Sequence, residues 1–370
     1  MHLFFVSIKS PRIIFRNLRI LLHRKERIGM TETASLIALS NPPSIRAWSS
    51  TAGRKEGEGP MGQYFDRIEP DGHLGKHTWE QAESALQRRT LNLMMEKAGC
   101  TEADIRCIFA GDLINQCTSS TYALRHLDIP YLGIFSACAT FAEGLTLAAA
   151  MVCGMNMERC AVLTSSHFSS AERQFRFPLS YGGQRTPNAQ WTCTAAGAAL
   201  LTPTALPPYL RGICMGRIRD LGITDANNMG AAMAPAAADT VLRYLSATHT
   251  RPADYDAIVT GDLGAVGSRL FLQLTEQAGY DLNGIHRDCG VMMFDSARQD
   301  THAGGSGCGC SASIICGYFL PKLQSGALKN ILYAATGALL SPMLCQQGES
   351  IPGICHLVHL SHDRGKGAQI

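Results

Sequence analysis

The sequence contains few charged and few aromatic residues, and these shortages narrow the classes of protein to which it can belong. Charged residues make up 17% and aromatic residues 7% of its 370 residues, and the formal net charge is only +3. Nucleic-acid-binding proteins usually present a strongly basic surface, so we expect no nucleic-acid partner. The hydrophobic share of 46% also excludes a disordered chain. A chain of this length fits two ordinary domains or one large α/β unit.

The sequence lacks a Cys-x-x-Cys pair, although it has 14 cysteines. The single Cys-x-Cys, at Cys308 and Cys310, has no further His or Cys at the spacing of a zinc site. Most of the others lie in apolar segments, where cysteine behaves as a small buried hydrophobic residue. We therefore predict a cytoplasmic-type protein without disulfides, without a bound metal and without a cofactor.

A convincing membrane-spanning segment is also missing. The only candidate, residues 131–157, starts like a strand and is rich in Gly and Ala, which favours a buried strand followed by a buried helix. Residues 1–29 form a basic leader, whose seven basic residues and one Glu give +6 and leave −3 for residues 30–370. This leader is either an amphipathic segment attracted to anionic membranes or a targeting peptide. A third alternative, which we favour, is that translation begins at Met30.

An internal repeat is the most informative feature that the sequence does contain. The segments ADIRCIFAGDL (103–113) and ADYDAIVTGDL (253–263) are identical at six of eleven positions. In each copy an apolar run typical of a buried strand ends at Gly-Asp-Leu, which brings Asp112 and Asp262 to the ends of strands. Copies separated by 150 residues indicate two related α/β halves rather than a solenoid.

Strands and helices are predicted to alternate in both halves, which is typical of parallel sheets with helices on their faces. In such sheets ligands bind beyond the carboxyl ends of the strands. Residues 30–80 look irregular and predict a surface arm, followed by a first half at 81–208 and a second half at 209–370. The predicted helices are 80–98, 140–154, 268–279 and 311–326, and the predicted strands are 105–109, 131–135, 160–164, 255–259, 290–294 and 330–335.

Four features of the sequence are candidates for a functional site, each with a structural alternative. Cys138 stands between a predicted strand and a predicted helix; the helix dipole would lower the pKa of a thiol there, or the residue simply fills the junction. Asp112, with Asn115 in the following turn, either binds a ligand or caps the turn. His167 is either a pocket residue or a structural histidine. The glycine-rich run His302–Ala312 either binds an anion or lets the halves pack closely.

Two α/β halves with a cysteine at a strand–helix junction resemble the thiolase and ketosynthase superfamily. The sequences of several segments more closely resemble the stage V sporulation protein AD family, and this resemblance extends from about residue 51 to the C-terminus. This resemblance implies a thiolase-like α/β fold, with two similar βαβ-rich halves in a layered α/β/α/β/α unit and, by analogy, a homodimer. The segments that carry it include KEGEGPMG (55–62), GDLINQ (111–116), DLGITD (220–225) and NMGAAMAPAAADT (228–240).

The same resemblance implies a binding protein rather than an acyl transferase. Members of the family bind dipicolinic acid, with calcium, for uptake into the developing spore, and are peripheral on the spore inner membrane beside other proteins of the dipicolinate channel complex. The ligand-binding Asp and Cys of the family correspond to Asp112 and Cys138. Asn115, Ala139 and His167 complete the predicted ligand-binding set.

The sequence departs from thiolases where their catalytic groups would stand. Gly307–Cys310 replaces the Gly-His-Pro that follows the second-half Gly-Gly, and the last strand ends in Ala335–Gly337 where thiolases carry a second Cys. Without the histidine base, nucleophilic acyl transfer lacks its proton acceptor, so we predict no catalytic residues. Two alternatives stay open: a condensing enzyme that uses Cys138 with acyl-CoA, and a scaffold with a vestigial pocket.

The segment around Cys138 also departs from the sporulation family. The family usually has Ala-Cys-Ser-Thr-Ser here, whereas this sequence has Ala137–Phe141, so two hydroxyls are absent and Phe141 is larger than Ser. Each hydrogen bond lost to a desolvated carboxylate costs roughly 1–3 kcal/mol. We therefore expect Ala139 and Phe141 to lower the affinity for dipicolinic acid.

Overall fold

The strands repeat one arrangement twice. The computed structural model describes residues 36–175, 184–203 and 206–365. Within these residues the strands are β1 (Leu36–Ala38), β2 (Ser44–Gly53), β3 (Arg67–Glu69), β4 (Cys107–Gly111), β5 (Tyr131–Gly133), β6 (Cys160–Ser166), β7 (Trp191–Thr192), β8 (Ala195–Thr202), β9 (Tyr209–Cys214), β10 (Ala257–Thr260), β11 (His286–Asp288), β12 (Gly305–Ser306), β13 (Asn330–Ala338) and β14 (Gly353–Ser361).

Ten of these strands follow one another in the order β11-β10-β13-β14-β9-β2-β8-β6-β4-β5. The two middle strands, β9 and β2, meet at a single pair, Tyr209 opposite Ser44. Outward from this junction, each half has two antiparallel pairings and then two parallel ones. The order 2-8-6-4-5 thus matches 9-14-13-10-11, and the prediction of two related α/β halves is confirmed.

Helices lie on both faces of each half. Within the described residues they are α1 (Arg54–Gly57), α2 (Trp79–Ala98), α3 (Thr118–Leu124), α4 (Thr140–Gly154), α5 (Phe168–Phe175), α6 (Met229–Thr248), α7 (Gly264–Gln277), α8 (Cys289–Met293), α9 (Cys308–Ile314), α10 (Leu320–Gln324) and α11 (Pro342–Gln346).

Two of these helices form a central layer between the halves. Helix α4, from the first half, packs on β6 and also on β13 and β14 of the second half, while α9, from the second half, packs on β8 and β6 of the first. Alternate strand residues face opposite layers: Phe109 and Val162 belong to the central core, whereas their neighbours Ile108 and Leu163 pack with α2 and α3. Helices α6 and α7 cover the outer face of the second half. The architecture is therefore the layered α/β/α/β/α arrangement.

Several predicted elements are confirmed almost to the residue. Helix α4 has the predicted bounds, and α2 begins one residue before the predicted helix, after Thr78, whose side chain accepts a hydrogen bond from Gln81 N. It ends at Gly99, which adopts the left-handed conformation that favours glycine at this position. The caps at both ends made α2 predictable, and the long apolar sequence of the buried helix made α4 predictable.

Two predictions were wrong. Residues 30–80 are not merely a surface arm, because Ser44–Gly53 forms the buried strand β2 in the middle of the strand order. Its serines can be buried because they find partners, as Ser49 Oγ does by donating to Thr90 O at 2.6 Å. Residues 290–294 are not a strand but lie mostly in helix α8, whose first turn is capped by Asp288 accepting from Val291 N at 3.0 Å.

The glycine-rich run before and within α9 serves close packing of the halves. A Cβ atom on Gly309 would collide with Ala195 O of β8 and approach Ser166 N to 2.7 Å. The structural reading of His302–Ala312 is therefore the one that the packing supports. Close backbone approach is a reason for glycine that no other residue type can satisfy.

One helix in the described part of the chain is long and apolar enough to cross a membrane, and it occupies the centre of the fold. The segment Ala137–Gly154 has a mean hydropathy of 1.5, and 67% of it is buried. It coincides with the core helix α4, as expected from its sequence. All fourteen cysteines lie in the described residues and none forms a disulfide.

Because Phe141 packs in the core between the halves, we expect its truncation to lower the stability of the fold strongly. This side chain is fully buried, and its ring centroid lies 6.4 Å from that of Tyr333 in the second half. We expect Phe141→Ala to lower the free energy of unfolding by about 3–5 kcal/mol, measured by chemical denaturation. The matched control is Phe135→Ala, a ring 49% exposed, which should cost less than about 1 kcal/mol. Equal losses in the two variants would contradict this account of the core.

Candidate functional site

Cys138 lies at a tight turn between β5 and α4. The residue before it, Ala137, has a φ of 49°, in the left-handed region that non-glycine residues rarely adopt. Thr140 holds the turn, since its Oγ1 accepts from Ser136 N at 3.0 Å and donates to Ala137 O at 2.6 Å. The turn places the Cys138 thiol, 6% exposed, at the start of the central helix.

A cavity opens from Cys138 towards the surface. Its volume is about 630 Å³, including its open mouth. Both halves contribute to its walls, which are mainly apolar. The lining residues are Leu113, Phe135, Ala137, Cys138, Ala171, Glu172, Phe175, Thr192, Ala226, Asn227, Met229, Ser306, Ala338 and Leu340.

The second half surrounds Cys138 with a polar network centred on Asp262. Ser306 Oγ lies 3.8 Å from Cys138 Sγ and donates to Asp262 Oδ2 at 3.0 Å. The same oxygen accepts from Gly307 N at 2.8 Å, and Asp262 Oδ1 accepts from Thr336 Oγ1 at 2.9 Å. Asp262 is fully buried behind Ser306 and does not line the cavity itself. The carboxylate therefore fixes the groups that face the thiol.

The thiol is not activated by this environment. Burial and then the nearby Asp262 carboxylate raise the pKa of Cys138 well above its ordinary value. Burial likewise raises the pKa of Asp262 to about 6. The expectation that the helix dipole lowers the thiol pKa was wrong, because desolvation and a neighbouring negative charge outweigh it. Cys138 is a neutral hydrogen-bond donor near pH 7.

Asp112 lies apart from the cavity. It is fully buried, Oδ1 accepts from Ile114 N at 2.9 Å, and Oδ2 accepts from the backbone N and Oγ of Ser120 at 2.8 and 2.7 Å. Its neighbour Leu113, not Asp112, lines the cavity. The structure therefore favours the capping role that the sequence left open, with Asp112 holding the turn that carries Leu113.

A second buried carboxyl group, Glu83, is electrostatically coupled to Asp112. Burial and the charge of Asp112 raise the pKa of Glu83 to about 8, although Ser170 and Ser165 donate to it at 2.6 and 2.8 Å. Gln87 joins the two sites, since its Nε2 lies 3.0 Å from Ser120 Oγ and 2.8 Å from Ser165 Oγ. This polar cluster lies beneath α2 and stabilises the first half.

The other predicted ligand-binding residues do not line the cavity either. Asn115 is exposed and exchanges hydrogen bonds with Gln174 at 3.0 Å. Ala139 is fully buried as the first residue before α4. His167 is 2% exposed, and its Nε2 lies 2.8 Å from Gly72 O, with burial lowering the pKa of its ring. Of the five predicted residues, only Cys138 contacts the cavity.

Phe141 does not line the cavity either, but lies in the core between the halves. The reasoning that its bulk lowers ligand affinity is therefore not supported by its position. Ser306 and Glu172 were missed, although both line the cavity. Glu172 follows β6 closely in sequence, so its position after a strand was an available signal, whereas Ser306 was marked only by the Gly-Gly that precedes it.

Comparison with known proteins agrees with this architecture. The description "Stage V sporulation protein AD" belongs to the family profile that matches residues 33–361. Stage V sporulation protein AD of Bacillus subtilis (strain 168) is 40% identical over 316 residues, which cover 85% of this chain and 93% of that protein.

Two solved structures show the same fold at low identity. 3-Oxoacyl-[acyl-carrier-protein] synthase III from Aquifex aeolicus VF5 has a TM-score of 0.52 at 10% identity, covering 85% of this chain and 99% of its own. Cerulenin-bound OleA from Xanthomonas campestris has a TM-score of 0.53 at 13% identity, covering 87% of this chain and 99% of its own. The fold is thus that of the thiolase-like condensing enzymes, and the chain belongs to the stage V sporulation protein AD family of sporulation proteins.

Proposed function

We propose that this chain is a non-catalytic thiolase-fold protein that binds dipicolinic acid, as its calcium chelate, in the cavity beside Cys138. The observation that carries the proposal is the pairing of an apolar cavity with a thiol that stays protonated. Family membership supports the ligand, since the family acts in sporulation. We further propose that the protein acts peripherally at the spore inner membrane, with the other proteins of the dipicolinate channel complex and as a homodimer.

The cavity suits a flat aromatic ring that carries carboxylates. Leu113, Phe135 and Phe175 supply apolar walls, against which a pyridine ring buries its faces. At the inner end, the Cys138 S–H group can donate to a carboxylate oxygen, beside Ser306, whose own O–H donates to Asp262. A ring held by its faces and anchored at one end needs no covalent bond to the protein.

The acidic groups near the cavity favour the calcium chelate over free dipicolinate. Glu172 lines the cavity and is 4% exposed, and Asp262 lies directly behind Ser306. A dianion would be repelled by such carboxylates, whereas its calcium chelate is neutral and offers the metal to an oxygen ligand. We assign this contact to Glu172, and we assign to Asp112 the positioning of Leu113.

The same groups argue against acyl transfer. A thiol with a raised pKa is a poor nucleophile. The carboxylate beside it, Asp262, already accepts three hydrogen bonds and is therefore a poor base for the thiol proton. Within the described residues, no histidine ring hydrogen bonds to Cys138 Sγ. A condensing enzyme would need both a thiolate and a base, so it stays the weaker alternative.

Calcium dependence tests the ligand and the roles of the two acids. Isothermal titration with dipicolinic acid should show at least tenfold tighter binding, about 1.4 kcal/mol, when calcium is equimolar with the ligand. Glu172→Gln should lose most of this calcium preference, because it removes the carboxylate that meets the metal. Asp112→Asn should weaken binding equally with and without calcium, because it disturbs the wall at Leu113.

The matched control for these titrations is Glu158→Gln, at an exposed carboxylate, which should bind like the unmodified chain. Absence of binding in every condition would favour the scaffold with a vestigial pocket. An unchanged calcium preference in Glu172→Gln would reject the chelate contact while leaving the cavity itself in place.

The protonated thiol predicts that the chain is not acylated at Cys138. After incubation with acetyl-CoA at pH 7, intact-mass spectrometry should show the same number of acetyl adducts on the unmodified chain and on Cys138→Ala. The comparison with the variant discounts acylation of the half-exposed cysteines Cys100 and Cys153. A stable adduct that disappears only in Cys138→Ala would establish the condensing-enzyme alternative.

The raised pKa of Asp262 predicts a distinct pH dependence of stability. The folded chain holds this proton up to about pH 6, whereas the unfolded chain releases it near 3.8, so raising the pH across this window favours unfolding. Relative to Asp262→Asn, the unmodified chain should lose about 2 kcal/mol of unfolding free energy between pH 4 and pH 7. Parallel denaturation curves at both pH values measure it, and a difference that does not change with pH would reject the shift.

A further inference from the structure

A broad groove on the first half lies well outside the cavity that contains Cys138. It runs between α2 and α3, and its volume is about 1630 Å³, including its open mouth. None of the residues that line it lines the cavity. The groove is therefore a separate surface, and unlike the cavity it is lined by several basic side chains.

Positive charge dominates this groove. Its lining includes Lys76, Arg88, Arg89 and Arg125, against Glu80 as the one carboxylate. These four cations and one carboxylate give the groove a formal charge of +3. Residues 30–370 together carry −3, so the part of them outside the groove carries −6. The groove thus concentrates positive charge on a body that is otherwise acidic.

Part of this charge is fixed in place by the fold. Arg88 donates from Nε to Ala123 O at 2.6 Å, which ties α2 to α3 at the bottom of the groove. Arg89 Nη1 pairs with Glu69 Oε2 at 2.6 Å. Glu80 pairs with Arg173, so the carboxylate in the groove is itself compensated.

The remaining cations are exposed at the rim. Lys76 and Arg125 are exposed, and neither forms an ion pair with any described residue. The Arg125 guanidinium lies 4.9 Å from the ring centroid of Tyr122, a side chain that is 56% exposed. Tyrosine beside arginine is the combination that proteins place at the level of lipid head groups.

We propose that this groove docks the protein directly on an anionic phospholipid surface. Lys and Arg near such a surface are attracted by its negative potential, and arginine binds phosphate oxygens through two parallel hydrogen bonds. Tyr122 would lie among the head groups while Lys76 and Arg125 pair with their phosphates. The wide mouth suits several head groups better than one small anion. Ligand binding in the cavity is not required for this contact.

Vesicle sedimentation of the full chain tests the proposal. The chain should bind vesicles of phosphatidylcholine in which about one lipid in three is the anionic phosphatidylglycerol, and should bind pure phosphatidylcholine weakly. The double variant Lys76→Gln/Arg125→Gln should bind the anionic vesicles at least about tenfold more weakly, since each basic residue near the surface contributes about fivefold. Binding should also fall as salt rises.

The matched control is Arg46→Gln/Arg269→Gln, which removes the same charge from exposed positions on β2 and α7. The basic leader is present in all three proteins, so the difference between the two double variants reports on the groove alone. Equal binding of anionic vesicles by the two double variants would overturn the proposal. Binding of an acidic protein segment or of free phosphate in the groove, in place of vesicles, would also overturn it. Unchanged calcium-dependent dipicolinate titrations in Lys76→Gln/Arg125→Gln separate this outcome from failure of the proposed function.

Discussion

The Asp262 carboxylate is the constraint on which the arrangement around Cys138 depends. It sits at the end of β10 without access to solvent, and it gathers Ser306, Gly307 and Thr336 by hydrogen bonds. These donors come from the turn before α9 and from β13, so one side chain aligns two parts of the second half against a thiol from the first. An uncompensated carboxylate in this position would be costly, which explains why every donor around it is used.

That same constraint affects the reactivity of Cys138. A site that transfers acyl groups must lower the pKa of its nucleophile, whereas burial and a neighbouring carboxylate do the opposite to Cys138. The cavity walls are mainly apolar, and Glu172, Thr192, Asn227 and Ser306 are the polar side chains that line them with Cys138. A cavity of this kind can hold a ligand by its shape and by a few polar groups.

The sequence predicted the fold better than the site, for physical reasons. The repeat and the capped helix α2 were visible because burial imposes a periodic pattern on a chain. Strand β2 was not, because its buried serines suggest an exposed segment until partners such as Thr90 O on helix α2 are known. The apolar run at 290–294 resembled a strand because the cap from Asp288 is a three-dimensional contact. Cys138 was found from its junction, but sequence alone could not tell which of Asp112 and Asp262 faces it.

The two aspartates of the repeat have different roles: Asp112 caps a turn, and Asp262 lies beside the thiol. Identical subunits could not achieve this, because a substitution in one copy would appear in both and each dimer would carry two equal pockets. Once both copies lie in one polypeptide, the sequence of each copy can change independently of the other. The fused chain can therefore devote one copy's acid to holding its own turn and the other's to the pocket, an asymmetry that symmetric assembly forbids.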